Sequence, residues 1–297
     1  MAHGEDLRTS KVLLGAGQWR KMKRISVYKN GVLEPAETPL PREFPLKLTV
    51  NGREIATLIA SPHDLRFLVA GFLRLQGFVE NLDDFLMLSV CQDFGIANVQ
   101  VRKELPERLQ PVLTSGCGRG VTFSLPTADG AGVKTHGTAS LKMSPENLFA
   151  VMDELARRAE SYRRHGGIHS AAIADRGRLL LYAEDIGRHN TIDRLAGEAL
   201  LREIDLAGKV IATSGRVSSE MAAKAALLGV SLIVSRTSPT DMAVSICRSA
   251  GITLVGYLRG GRFTVYAHPE RLAMQDGVPD EPKDGVPPLA IQFIPEG

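Results

Sequence analysis

Lys209-Val210-Ile211-Ala212-Thr213-Ser214-Gly215-Arg216-Val217-Ser218-Ser219-Glu220-Met221 decides the fold. Residues 209–213 read as a buried strand, Ser214-Gly215-Arg216 as a turn, and a helix is predicted over 218–228. The unit then repeats: a strand over 231–234, the turn Ser235-Arg236-Thr237-Ser238-Pro239 and a helix over 240–249. Working outward, strands are predicted over 170–174 and 179–182 around the turn Asp175-Arg176-Gly177, then a helix from about 190 to 201. Strands over 253–257 and 263–266 close the pattern. Such alternation implies right-handed crossovers and a largely parallel sheet covered on both faces, an α/β fold. Ser144-Pro145-Glu146-Asn147 opens a capped helix with Leu148, Val151, Met152, Leu155 and Ala159 on its buried face. The α/β domain is therefore expected over 144–272.

Upstream, residues 25–143 read as a smaller mixed α+β portion. Strands are expected over 25–28 and 44–50, separated by a proline-rich connection through Pro35, Pro39 and Pro41. Asn51-Gly52 is a hairpin signal, with 54–59 as the return strand. Ser61-Pro62-His63-Asp64 is expected to cap a helix with Ser61 at the N-cap and Pro62 at its first position. Strand-and-turn structure follows from Phe85 to Val101, where Cys91 reads as a buried, inert thiol, as does Cys247 in its helix. Residues 1–24 read as a flexible leader and 273–297 as a loosely ordered tail.

The chain has 297 residues, enough for about two domains, and its 44% hydrophobic content supports a sizeable core. A net charge of +3 gives no support to nucleic-acid binding, and the basic run from Trp19 to Arg24 reads as a solvated face. Three cysteines, without paired spacing, make neither a disulfide framework nor a zinc site. There is no apolar signal core at the start and no run long enough to span a bilayer, so a cytoplasmic setting with reduced thiols is expected, without a membrane partner.

One of those cysteines stands apart. Cys117 sits in Gly116-Cys117-Gly118-Arg119-Gly120, within a stretch over 114–139 that reads as a long, mobile loop. Flanking glycines keep such a thiol out of a packed core, and Arg119 favours the reactive thiolate. A flexible turn that happens to hold a cysteine fits the same residues.

Ligands of open α/β sheets bind outside the C-terminal ends of the strands. Three predicted strand ends here carry anion-binding chemistry: Ser214-Gly215-Arg216, Ser235-Arg236-Thr237-Ser238 and Arg259-Gly260-Gly261-Arg262. Their recurrence favours a phosphate-bearing ligand. A fourth cluster, Glu184-Asp185-Ile186-Gly187-Arg188-His189-Asn190 with Asp193, admits two readings, a ligand or partner role and a structural one in which Asn190 caps the helix and salt bridges hold the rest. His169 begins a strand after two glycines and stays a candidate site residue.

Gly166-Gly167-Ile168-His169-Ser170-Ala171-Ala172, Glu184 through Asn190, Thr213 through Met221 and Gly260-Gly261-Arg262-Phe263 resemble the formate dehydrogenase accessory sulfurtransferase family, the FdhD type. Asn51-Gly52-Arg53-Glu54-Ile55-Ala56-Thr57 and Gly71-Phe72-Leu73 extend the resemblance into the first half. It implies a sulfur carrier that takes persulfide sulfur from a cysteine desulfurase and hands it to the molybdenum cofactor, in bis-guanine-dinucleotide form, for formate dehydrogenase. The family's persulfide carrier matches Cys117, and its cofactor-contacting segment matches Tyr257, Leu258, Arg259, Gly260, Gly261 and Arg262. Arg216 and His169 join that set as strand-end candidates. The resemblance further implies a cytidine-deaminase-like three-layer domain and a homodimer; from the residues themselves, no protein-ligated metal is expected.

Zinc deamination itself would need a Glu general acid/base and a Cys-x-x-Cys pair, which this sequence lacks at the matching segments. Many family members carry Cys-x-x-Cys in the loop, whereas Gly120 takes the second position here. A cofactor-binding chaperone without sulfur chemistry is the alternative that this departure supports, and a plain nucleotide-binding regulator is a third.

Overall fold

The computed structural model describes residues 22–105, 112–114, 120–122 and 142–273, and the statements below refer to these. Most of the expected leader, Cys117 with nearly all of its loop, and the expected tail beyond Ala273 lie outside them.

β1 (Met22–Lys29) and β2 (Val32–Pro39) form an antiparallel ribbon. Its turn is Asn30-Gly31, both at positive φ (50° and 87°). This corrects the proline-rich connection. Pro35 and Pro39 lie within β2, where a strand with one open edge tolerates them, and Asn30-Gly31 is the same hairpin signal read at Asn51-Gly52.

β3 (Phe44–Val50) and β4 (Arg53–Ala60) pair through Asn51-Gly52 as expected. α1 (Leu65–Leu75), β5 (Phe85–Cys91) and β6 (Ile96–Val101) complete a four-stranded sheet of order β4-β3-β6-β5. Alternation in β3 sends Phe44, Leu46, Leu48 and Val50 to one face, where they pack with Leu68, Phe72 and Leu73 of α1. β7 (Val112–Thr114) and β8 (Gly120–Thr122) make a short antiparallel pair.

Two expectations fail in this layer. Cys91 is exposed, because β5 is an edge strand and its apolar run does not say which residues turn outward. Ser61 is not a cap: α1 follows Asp64 in the left-handed region (φ 43°), without a side-chain cap bond. Cys247 is buried as expected, and burial pushes its thiol up to about 12. A thiol reagent applied to the native protein is therefore expected to label Cys91 and spare Cys247 until denaturant is added, as mass spectrometry of the labelled peptides will show.

The second half follows its predicted elements within a few residues, with one short helix, α3 (Glu160–His165), added after α2 (Pro145–Arg158): β9 (His169–Asp175), β10 (Arg178–Asp185), α4 (Arg188–Leu201), β11 (Val210–Thr213), α5 (Ser219–Leu227), β12 (Leu232–Ser235), α6 (Asp241–Ala250), β13 (Thr253–Arg259) and β14 (Arg262–Ala267). Ser144, Ser218 and Thr240 cap α2, α5 and α6 by accepting the N–H groups of Asn147, Met221 and Ala243 at 3.3, 3.4 and 3.3 Å.

The sheet order is β10-β9-β11-β12-β13-β14. Only β11–β12 and β12–β13 are parallel, which corrects the largely parallel expectation. The turns at Arg176-Gly177 and Gly260-Gly261 are too short for a crossover, so β10 and β14 return antiparallel to the strands before them. Helices do cover both faces. Ile173, Ile211, Ile233 and Leu254 pack with residues of α4, α5 and α6, while Ala172, Ala212 and Val234 pack with Leu148, Val151 and Leu155 of α2. α1 and α4 cross in close contact at Gly71 and Gly197. No described helix is long and apolar enough to cross a membrane.

Candidate functional site

Strand direction assembles the site. β11, β12 and β13 run parallel, β9 runs against them and β10 against β9. One edge of the sheet therefore collects the C-terminal ends of β10 through β13 and the start of β9, with His169 opposite Asp185.

The loops along this edge are tied in series. Ser214 N–H donates to Ser170 C=O at 2.9 Å, and Ser170 N–H donates back to Ser214 Oγ at 3.0 Å. Ser235 Oγ donates to Gly215 C=O at 2.8 Å, and Arg236 N–H to Thr213 C=O at 3.2 Å. Val217 N–H reaches Ser238 C=O at 3.2 Å, and Tyr257 N–H reaches Thr237 C=O at 3.0 Å. The first two loops predicted to hold anions are thus bonded to each other and to the start of β9, and the second also to Tyr257, which leads into the Arg259–Arg262 turn, so that a rim runs along this edge from His169.

Arg216, Arg236, Arg259 and Arg262 are exposed. Tyr257 adopts φ 53° at a bulge of β13, which turns its ring outward while Leu258 packs into the core. The Arg259 guanidinium lies 5.7 Å from the Tyr257 ring centroid. Gly260 and Gly261 take positive φ (59° and 74°), a turn that side-chain-bearing residues resist. Of the predicted cofactor-contacting segment, Tyr257, Arg259, Gly260, Gly261 and Arg262 are exposed, and Leu258 has only its backbone to offer.

His169 and Arg188 meet at Gly215, whose absent Cβ would lie 3.0 Å from Arg188 Cβ and 3.3 Å from His169 Nδ1. Arg188 is buried, unlike the other arginines of the edge. Burial and then the Arg188 charge lower the His169 pKa, against a smaller opposing pull from Asp185.

The 184–190 cluster resolves differently from the cap expected at Asn190. Gly187 is the N-cap of α4, and Asn190 Nδ2 donates to Ile59 C=O at 2.9 Å and to Asp185 Oδ1 at 2.8 Å. Asp185, 0% exposed, also accepts from Gly187 N–H at 2.9 Å, from Ser61 N–H at 3.1 Å and from Arg194 Nε and Nη2 at 2.9 and 2.6 Å. Ser61 Oγ accepts from Ile186 N–H at 3.1 Å, which is what this serine does in place of capping α1.

A second buried network was not read from the sequence. Lys224 Nζ lies 2.8 Å from Asp193 Oδ1 and 3.1 Å from Glu220 Oε1. Glu220 Oε2 lies 3.5 Å from His189 Nε2, which is 3.0 Å from Ser218 Oγ. Burial lowers the Lys224 pKa, but the two carboxylates outweigh it and hold the ammonium above its ordinary value. Burial raises Asp193 to about 6 against the pull of Lys224. The available signal was two opposite charges four residues apart in α5, a helix otherwise rich in alanine.

The arrangement offers four exposed guanidiniums, a helix N-terminus at Ser218 and two imidazoles beside a shared rim, which suits a large anionic ligand that also carries polar rings.

A family model described as the FdhD/NarQ family matches residues 41–273. The sulfur carrier protein FdhD of Staphylococcus aureus strain MRSA252 is 36% identical over 249 residues, covering 82% of this chain and 93% of its own. The protein of the same description from strain Newman is 37% identical over the same coverage. A crystal structure of a proposed formate dehydrogenase accessory protein from Desulfotalea psychrophila is similar at TM-score 0.70 and 26% identity, over 86% of this chain and 99% of that one. The matched span takes in the four- and six-stranded sheets and every loop of the rim, and on that evidence the chain belongs to the FdhD/NarQ family.

Proposed function

We propose that this protein is a sulfur carrier for formate dehydrogenase maturation, which accepts persulfide sulfur from a cysteine desulfurase on Cys117 and passes it to the molybdenum cofactor in bis-guanine-dinucleotide form. Family membership and relatives named as sulfur carriers support the carrier role. The observation that carries the acceptor is the rim: three arginine-bearing loops at the ends of adjacent parallel strands, the first two also bearing serines and bonded to each other. The cofactor is the acceptor substrate, and its nucleotide ends bear the phosphates that such a rim recognises. Holding the acceptor on the protein turns a two-body transfer into a local one. The Cys117 thiolate attacks the outer sulfur of the donor's persulfide, the donor cysteine leaves as thiolate, and Cys117 keeps the sulfur as its own persulfide.

Incubation with a cysteine desulfurase and cysteine, followed by intact-mass measurement and peptide mapping, tests this reading. One added sulfur on Cys117, absent from Cys91 and Cys247 and lost in Cys117→Ser, is the expected result. A working desulfurase that leaves the protein unmodified would overturn the carrier role in favour of a cofactor-delivering chaperone.

GDP serves as a probe of the rim. Arg259→Ala and Arg262→Ala are each expected to weaken GDP binding about tenfold, the worth of one charge-assisted hydrogen bond. Calorimetric titration at two salt concentrations checks this, since affinity that rests on exposed guanidiniums must fall as salt rises.

A further inference from the structure

The rim arginines can only donate hydrogen bonds. A ligand that also carries N–H donors on its rings needs an acceptor beside them. We propose that His189 is that acceptor: Ser218 Oγ takes its Nε2–H beside the Glu220 carboxylate, which leaves Nδ1 as a lone-pair nitrogen for a ring N–H of the bound nucleotide or pterin. This specificity role rests on the cofactor-binding reading above.

The geometry supports it in three steps. His189 is the second residue of α4 and Ser218 is the N-cap of α5, so the ring stands between the starts of two helices at the rim. Its Nε2 hydrogen-bonds Ser218 Oγ at 3.0 Å and lies 3.5 Å from Glu220 Oε2, whose negative charge favours a proton on the nearer ring nitrogen. The tautomer these contacts favour carries its proton on Nε2. Nδ1 diverges from Nε2 around the five-membered ring and makes no hydrogen bond among the described residues.

Glu220 is itself fixed from behind. Lys224 and Asp193 are 5% and 4% exposed, and they join Glu220 in a line of buried charges. Buried ion pairs are poor stabilisers compared with apolar packing of the same volume. A line of them that ends on an imidazole at the rim is accounted for by the orientation it imposes on that ring. Burial also pushes His189 down to about 4, against the pull of Glu220, so the ring stays neutral and its lone pair stays available.

Two-dimensional nitrogen NMR of the full chain labelled with ¹⁵N-histidine reads the tautomer directly. The expected spectrum shows His189 as the neutral Nε2–H form through pH 6, with its Nδ1 signal shifting when GDP is added to saturating concentration. A dominant Nδ1–H form, or a titration midpoint near 6.5, overturns the assignment. An Nδ1 signal that stays in place at the highest GDP concentration overturns the acceptor role, whereas absence of sulfur on Cys117 overturns only the carrier reading. Glu220→Gln is expected to move population toward the Nδ1–H form and weaken GDP binding, and unchanged tautomer populations in that variant count against the relay.

Discussion

Gly197→Ala is expected to lower stability by about 3 kcal/mol or more, at the upper end of what overpacking costs. In most helix interiors the same change stabilises by up to about 1 kcal/mol, so the prediction reverses the usual sign. A Cβ on Gly197 would lie 1.9 Å from the Phe67 carbonyl oxygen and 2.6 Å from the Gly71 nitrogen. A Cβ on Gly71 would lie 1.7 Å from the Asp193 carbonyl oxygen. These obstacles are backbone atoms of the facing helix, so no rotamer change relieves them. The variant must move α1 away from α4, and with α1 the apolar face of the four-stranded sheet packed against it. Urea denaturation followed by circular dichroism measures the loss. A variant as stable as the wild type would mean that the two helices do not cross at this glycine pair.

The second large effect is expected at Arg194→Met, with a loss of about 3–5 kcal/mol, the cost of leaving one partner of a buried ion pair uncompensated. Arg194 is 2% exposed and meets Asp185 through Nε and Nη2. Its guanidinium also donates to the carbonyl oxygens of Ser61, at 2.7 Å, and His63. Removing it leaves a buried carboxylate without its counter-charge, held only by the neutral donors Gly187 N–H, Ser61 N–H and Asn190 Nδ2, and frees the 61–64 connector from the start of α4. The double variant Asp185→Asn with Arg194→Met removes both charges and is expected to regain part of the loss. Urea midpoints of the two variants decide the point: equal values would show that the buried carboxylate is not what the single variant suffers from.

Much of the fold was legible in short stretches. The caps at Ser144, Ser218 and Thr240, the hairpin at Asn51-Gly52 and the alternation from β9 to β14 all follow from preferences that act over a few residues. The glycine and arginine loops were legible for the same reason, since a turn's residues and its place after a strand are neighbours in the chain. Misreadings occurred where two local signals competed. Prolines in β2 masked the Asn30-Gly31 turn, and Ser61-Pro62 carried a cap signature while its serine bonded elsewhere.

By itself the sequence determined most of the elements from α2 to β14, their order, the family resemblance and the chemistry of the strand-end loops. Only the tertiary structure decided that the sheet is mixed, that Cys91 faces outward, that Ser61 meets Asp185 and that His189 ends a line of buried charges. The physical reason is separation along the chain: Ser61 and Asp185 are 124 positions apart, and His189 and Ser218 are 29. A hydrogen bond between such partners leaves no period and no spacing in the sequence. It exists because packing has closed the chain between them, and the desolvated surroundings that fix its protons exist only after that closure.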